Sequence, residues 1–218
     1  MVGHLHTPPQ GGKDTGARLF LAPGAMGAMD TPVLEELSGL LAARGIDVMR
    51  FEFAYMATRR TDGTRRPPPR AEKLLDEYRE AVKELGGAGR RIFIGGKSLG
   101  GRVASLVAGE MHARGEVDGL VCFGYPFHPP KRPDKLRTAH LAVLACPALV
   151  IQGERDPFGR RAEVTDYELA DAISVRWAID GDHDLKPRKA SGRSHTDNLA
   201  EAADAVAAFI TTQVTSGR

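Results

Sequence analysis

The sequence predicts a single α/β domain, built as a three-layer sandwich around a mainly parallel sheet of about six strands. Short apolar runs, each bounded by Gly, Pro or Asp, alternate along the chain with segments of helical periodicity. Such runs are typical of strands that are buried on both faces of a parallel sheet. The 218 residues, 42% of them hydrophobic, suit one domain with a sizeable core.

The predicted strands are residues 19–22, 46–53, 91–94, 119–123, 148–152 and 174–179. Between them, the first helix is predicted to begin after Thr31, a good N-cap followed by Pro32, and to end at Gly45. Further helices are predicted over residues 70–85, 101–114 and 196–211. The domain is therefore expected to span residues 17–212, after a flexible tail of residues 1–16 that is rich in Gly, Pro and His.

Two connecting segments are unusual in composition. Residues 124–147 contain five prolines and no helical pattern, so we expect a lid or a pocket wall there. Residues 59–70 combine five arginines with three prolines. They are expected to form a solvated basic loop, with a loop that recognises anions beside the site as the alternative.

Charge and cysteine content exclude several classes of partner. Thirty basic and 28 acidic residues give a net charge of +2, which predicts neither nucleic acid nor an acidic membrane as a partner. Cys122 and Cys146 form neither a disulfide framework nor a metal-binding spacing. No signal peptide or membrane-spanning run is recognised, so a cytoplasmic location is expected.

The segment most informative about chemistry is Gly96-Lys97-Ser98-Leu99-Gly100, which follows a predicted strand and precedes a predicted helix. Gly-x-Ser-x-Gly in this setting is a nucleophile elbow, a tight turn that raises the serine hydroxyl above the edge of the sheet. Flanking glycines are needed because larger side chains would collide with the adjacent strand and helix. An incidental serine in a tight turn remains an alternative. A phosphate-binding loop is disfavoured, because Arg91 stands where that motif requires its first glycine.

A serine nucleophile needs a base and an acid that orients the base. Among seven histidines, His183 lies on the loop at the C-terminal end of the last predicted strand, where the base of this elbow architecture is expected. Asp156 follows another strand in an Asp-Pro turn and is the predicted acid, with Glu154 as the second choice. A surface role for His183 and a purely structural role for Asp156 are the alternatives.

Backbone amides should stabilise the oxyanion formed during acyl transfer. The predicted donors are the amides of Leu99 and Ala25, with Met26 as the alternative to Ala25. The expected substrate-binding residues are Met26, Tyr125, Phe127 and His128. Met26 and Met29 fit pocket lining and ordinary packing equally well.

Several segments together resemble one family. They are Pro23-Gly24-Ala25, Gly95–Gly101, Gly124-Tyr-Pro-Phe-His-Pro-Pro130, Gln152-Gly-Glu-Arg-Asp-Pro-Phe158 and Gly181-Asp-His-Asp184. The chain resembles the small α/β-hydrolase family that includes bacterial dienelactone-hydrolase-like proteins and the animal testis-expressed and KANSL-type hydrolase-like proteins. This resemblance covers about residues 17–212 and implies the α/β-hydrolase fold without a large cap domain. One departure is Ala22-Pro23-Gly24, where many hydrolases have His-Gly.

These observations predict a serine hydrolase that cleaves a small ester or thioester through an acyl-enzyme on Ser98. Activation of the serine by His183 requires no metal and no organic cofactor. A small-molecule substrate is the expected partner. The alternative is a catalytically silent α/β-hydrolase-fold module that binds a partner or acts as a scaffold, as some relatives in chromatin complexes do.

Overall fold

A computed structural model describes residues 3–63, 67–87 and 89–216. The strands within these ranges are β1 (His4–Thr7), β2 (Ala17–Ala22), β3 (Asp47–Phe51), β4 (Arg91–Lys97), β5 (Gly119–Phe123), β6 (Ala148–Gly153) and β7 (Ile173–Ala178). The α-helices are α1 (Pro32–Ala42), α2 (Ala54–Asp62), α3 (Leu75–Leu85), α4 (Leu99–Ala113), α5 (Arg161–Val164) and α6 (His195–Ser216). Short 3₁₀ turns lie at Ala71–Lys73 and Lys189–Ser191.

These strands form one sheet in the order β1-β3-β2-β4-β5-β6-β7. Strands β2 to β7 run parallel to one another, and β4 lies at the centre of the sheet. Parallel strands end at the same edge of the sheet, so the segments that follow β2, β4, β6 and β7 converge there. The predicted three-layer α/β architecture is confirmed, and the described ranges contain no large cap domain.

Each face of the sheet is covered by a separate core. On one face α1 and α6 pack against side chains that include Leu19, Phe93 and Val121. On the other face α3 and α4 cover Phe20 and Ile94. Neighbouring residues of one strand thus point into opposite cores, which explains why the strands are continuously apolar.

The prediction of a flexible tail over residues 1–16 is wrong for His4–Thr7. These four residues pair antiparallel with β3 and form a seventh strand. This strand has no apolar run from which it could be recognised. A polar contact stabilises it instead: Nε2 of His6 lies 3.1 Å from Oδ2 of Asp47. The Asp47 carboxylate also accepts a hydrogen bond of 2.9 Å from Nε of Arg18.

Both unusual connecting segments differ from expectation. Residues 54–62 form α2, so the arginine-rich segment begins as a helix, while Arg65 and Arg66 lie outside the described residues. Residues 124–147 do not form a lid over a pocket. They place Tyr125, Phe127 and Leu141 in the core beside α4, where these side chains are almost completely buried.

Candidate active site

Ser98 occupies the sharp junction between β4 and α4. Its backbone has φ 51° and ψ −112°, a conformation that residues with side chains rarely adopt. The amide of Ser98 donates a 2.9 Å hydrogen bond to the carbonyl of Phe123 at the end of β5. The neighbouring strand therefore holds the turn in its strained conformation.

The two glycines of the elbow are required by close backbone approaches. A Cβ at Gly96 would lie 2.4 Å from the carbonyl oxygen of Ala22, and one at Gly100 would lie 2.2 Å from the same atom. Real Cβ atoms do not approach oxygen so closely, so β2 can pack against this turn only if both positions lack a side chain.

The structure brings together the three residues predicted as nucleophile, base and acid. Nε2 of His183 lies 2.9 Å from Oγ of Ser98, and Nδ1 of His183 lies 2.8 Å from Oδ2 of Asp156. The serine follows β4, the aspartate follows β6 and the histidine follows β7. One hydrogen-bonded chain thus runs from a buried carboxylate to a hydroxyl group.

The carboxylate of Asp156 is fully buried and well supplied with donors. Its Oδ1 accepts the amide of Phe158 at 2.8 Å, and its Oδ2 accepts Nε2 of Gln152 at 2.9 Å in addition to His183. A buried carboxylate needs such partners to offset its lost hydration. The second choice, Glu154, lies elsewhere: it accepts the amide of Asp180 at 2.9 Å and forms an ion pair with Arg161.

The two predicted oxyanion donors lie on the segments that meet at Ser98. Leu99 is the first residue of α4, where a backbone amide has no acceptor within the helix. The loop after β2 passes directly over the serine, since a Cβ at Gly24 would lie 3.5 Å from Cβ of Ser98. Helix α2 fixes this loop, because the hydroxyl of Tyr55 donates a 3.0 Å hydrogen bond to the carbonyl of Ala25.

Ser98 and His183 open onto a cleft of about 570 Å³. Most of its wall is small or apolar, and the lining includes Gly24, Ala25, Met26, Gly27, Thr31, Pro32, Val33 and Phe158. Charged groups stand at one side, namely Lys97, Asp184 and Lys186. The volume suits a small organic molecule bound beside the serine hydroxyl.

An ion pair connects the elbow with the loop that follows β7 and carries His183, which we call the histidine loop. Nζ of Lys97, the residue before Ser98, lies 2.6 Å from Oδ1 of Asp184, the residue after His183. Burial alone would raise the pKa of the Asp184 carboxyl. The hydrogen bond from Lys97 and the charges of Lys97, His183 and His195 outweigh burial and hold that pKa below its ordinary value.

Comparison with known proteins agrees with this fold. The sequence profile of the α/β-hydrolase domain family matches residues 15–211. The chain belongs to that family. Across the described ranges, this α/β hydrolase has no helix with the length and hydropathy needed to cross a bilayer, and no grouping of His, Cys, Asp and Glu suited to a metal ion.

Solved structures share the fold of this α/β hydrolase at low sequence identity. An α/β serine hydrolase without a lid from Xanthomonas campestris is 19% identical with a TM-score of 0.66, covering 93% of this chain and 87% of that one. Est1E from Butyrivibrio proteoclasticus is 13% identical with a TM-score of 0.71, covering 97% and 94%. A dienelactone hydrolase from Anabaena variabilis is 16% identical with a TM-score of 0.64, covering 94% and 89%.

The predicted substrate-binding residues are only partly found at the cleft of this α/β hydrolase. Met26 lines it and is 64% exposed. Tyr125, Phe127 and His128 do not line it: each is at most 2% exposed. Their segment folds back onto the core, where the rings of Tyr125 and Phe127 meet edge to face at 4.9 Å between centroids. Met29 is also buried, which assigns it to packing.

Sequence reasoning missed three residues that support the site. Phe158 lies against His183 and lines the cleft, and Gln152 donates to Asp156. Asn198 in α6 donates to the carbonyls of Ile179 and Leu185 at 3.0 and 2.8 Å, which fixes the loop that carries His183. The only sequence signal for the first two was their nearness to Asp156 within Gln152-Gly-Glu-Arg-Asp-Pro-Phe158.

Proposed function

We propose that this α/β hydrolase is a serine hydrolase that cleaves a small ester or thioester through an acyl-enzyme on Ser98. One observation carries the proposal: the hydrogen-bonded chain from Asp156 through His183 ends on the Ser98 hydroxyl, at the wall of a cleft. A serine that only closed a turn would need neither an oriented base nor access to a cavity.

In the first half of the proposed reaction, Oγ of Ser98 attacks the acyl carbon while its proton passes to Nε2 of His183. The developing oxyanion is stabilised by the amides of Ala25 and Leu99. His183 then gives its proton to the departing alcohol or thiol, and the acyl group remains as an ester on Ser98. Asp156 holds the imidazole in the required tautomer and stabilises the imidazolium.

In the second half, a water molecule attacks the acyl-enzyme and gives a proton to Nε2 of His183. Collapse of the tetrahedral intermediate releases the carboxylic acid, and the proton returns to Oγ of Ser98. Each catalytic group ends in its starting state, so the cycle consumes only the ester or thioester and water.

Small substrates are favoured by the shape of the site. Residues 124–147 pack into the core, so no large cap encloses the cleft within the described ranges. An open cleft buries little of a long acyl chain, whereas most of the surface of a tightly bound ligand is removed from water.

A fluorophosphonate probe followed by mass spectrometry tests the proposal. Wild-type protein should be labelled at Ser98, and Ser98→Ala should not. Ser105→Ala is the matched control, because Ser105 is 2% exposed within α4 and should leave labelling unchanged. Well-folded wild-type protein that is neither labelled nor able to hydrolyse p-nitrophenyl acetate would instead favour the catalytically silent binding module.

A further inference from the structure

Gln152 is a fully buried polar residue near the end of β6, four positions before Asp156. Its Nε2 lies within hydrogen-bond distance of three oxygens: Oδ2 of Asp156 at 2.9 Å, the carbonyl of Tyr125 at 3.1 Å and the carbonyl of Gly159 at 3.2 Å. The shortest of the three contacts is therefore the one to the carboxylate of the triad.

The surroundings determine the orientation of this amide. Two carbonyls and a carboxylate are all acceptors, so only the NH₂ group of Gln152 can face them. The opposite orientation would place Oε1 against three oxygens. The NH₂ group of Gln152 therefore faces Asp156.

The oxygen of the Gln152 amide has a different environment from the nitrogen. Oε1 of Gln152 is buried and has no hydrogen-bond partner among the residues that the structure describes. A buried acceptor without a partner is unfavourable, and such groups are rare in folded proteins. The free-energy cost of the unsatisfied Oε1 must be offset by other contacts of Gln152. The hydrogen bonds that its Nε2 donates are those contacts.

Oδ2 of Asp156 receives both Nε2 of Gln152 and Nδ1 of His183. The amide of Phe158 holds Oδ1, so the carboxylate is fixed at both oxygens. Without Gln152, the carboxylate could rotate about its terminal torsion, which has a broad energy profile. Such rotation would move the oxygen that orients the imidazole.

We propose that Gln152 is a positioning residue of the triad, which donates to Asp156 and holds its carboxylate in the orientation that His183 requires. This inference rests on the proposed function of Ser98. Gln152 does not line the cleft, so it acts through Asp156 and without touching the substrate.

The test compares wild type, Gln152→Met, Asp156→Asn and the double variant. Methionine keeps the approximate volume and removes the donor. Loss of a hydrogen bond to a charged group predicts a roughly ten- to hundredfold lower kcat for p-nitrophenyl acetate, and an equally slower fluorophosphonate labelling of Ser98. KM should stay within about twofold, because no substrate contact is lost.

The double variant separates positioning from general structural support. If Gln152 acts through Asp156, adding Gln152→Met to Asp156→Asn should lower kcat by less than about twofold. A decrease by the full factor of the single variant would overturn the proposal, because Gln152 would then support the fold independently of the acid. An unchanged kcat in well-folded Gln152→Met would overturn it as well.

Gln152→Leu covers the case in which the methionine variant does not fold. Leucine also fills much of the volume and removes the donor, so kcat should fall about as far as in Gln152→Met. A well-folded Gln152→Leu protein with wild-type kcat would contradict the proposal.

A further readout does not depend on turnover and keeps the two proposals separable. The Nδ1 proton of His183, bonded to Asp156, should give a downfield proton NMR signal. Gln152→Met should shift or broaden that signal, and Ser105→Ala should leave it unchanged. An unaltered signal would overturn the role of Gln152 even in an inactive protein, whereas a missing wild-type label would overturn only the proposed function.

Discussion

The phenyl ring of Phe158 lies against the imidazole of His183, with 4.3 Å between ring centroids and 34° between ring planes. The backbone amide of the same residue donates to Asp156 at 2.8 Å. Phe158 therefore contacts His183 through its side chain and Asp156 through its backbone. Substitution of Phe158 by alanine removes only the first of these contacts, because the backbone amide remains.

Phe158→Ala should lower kcat roughly two- to tenfold, because a close aromatic contact contributes about 0.5–1.5 kcal/mol to holding the imidazole. Steady-state kinetics with p-nitrophenyl acetate checks this. Phe158→Leu, which keeps an apolar side chain, is the control and should lie between wild type and alanine. Equal kcat values in all three proteins would show that the ring does not orient His183.

Two aspartates flank His183 in space, and we expect very different effects from them. Asp156→Asn should lower kcat by roughly 10⁴-fold, because the imidazole loses the acceptor that sets its tautomer. Asp184→Asn removes a half-exposed ion pair with Lys97 and should lower kcat by less than about tenfold. Circular dichroism confirms folding of both. Similar losses in the two variants would contradict the assignment of Asp156 as the acid.

Glycine-to-alanine substitutions should have opposite effects on stability at two sites. A Cβ at Gly100 would lie 2.2 Å from the carbonyl oxygen of Ala22, so Gly100→Ala should cost at least about 3 kcal/mol. Gly39 lies within α1, and apart from its chain neighbours and the backbone of the helix no atom lies within 4 Å of a built Cβ, so Gly39→Ala should stabilise by about 0.5–1 kcal/mol. Urea unfolding measures both, and a tolerated Gly100→Ala would mean that β2 can move away from the elbow.

Asp180, at the start of the histidine loop, should make stability depend on acid pH. Hydrogen bonds from the side chain and backbone of Arg188 lower its pKa to about 2, from 3.8. Since the folded pKa is below the unfolded one, this contribution is present above about pH 4 and is lost as the pH falls towards 2.

Asp180→Asn should therefore be less stable than wild type at pH 7, and the difference should shrink between pH 4 and pH 2. Asparagine tolerates the positive φ of 50° at this position, so the backbone is not an additional variable. Urea midpoints at pH 7, 4 and 2 check the prediction, with the exposed Asp171→Asn as control. A difference that persists unchanged at pH 2 would show that the Asp180 charge is not responsible.

Acyl-chain length should reveal the openness of the cleft. Esters from acetyl to butyryl should have higher kcat/KM than those with ten or more carbons, because a cleft that is open to solvent leaves much of a long acyl chain exposed to water. A p-nitrophenyl ester series measures this. Rates that rise steadily with chain length would indicate a deep tunnel in place of an open cleft.

The parts of this molecule that sequence predicts well are those controlled by local pattern. Buried strands appear as apolar runs, and the elbow appears because its glycines and serine are adjacent. The order of Ser98, Asp156 and His183 follows from the ends of parallel strands, which meet at one edge of the sheet.

The sequence did not reveal the contacts between residues that lie far apart along the chain. Strand β1 is recognisable only through its pairing with β3 and the contact between His6 and Asp47. Tyr125 and Phe127 were expected at the cleft because aromatic residues in a proline-rich loop suit a pocket wall. Their burial depends on how residues 124–147 fold back onto α4, which no local pattern specifies.

The direction of the first strand and the last helix has a practical consequence for attaching this protein to a surface. Antiparallel pairing sets His4 opposite Phe51, so a group joined before β1 would stand at the end of the sheet where the strands lead into the cleft. Helix α6 begins at His195 in the cleft wall and runs for 22 residues, which carries its far end about 30 Å away. Immobilisation through that far end would leave Ser98 facing the solution.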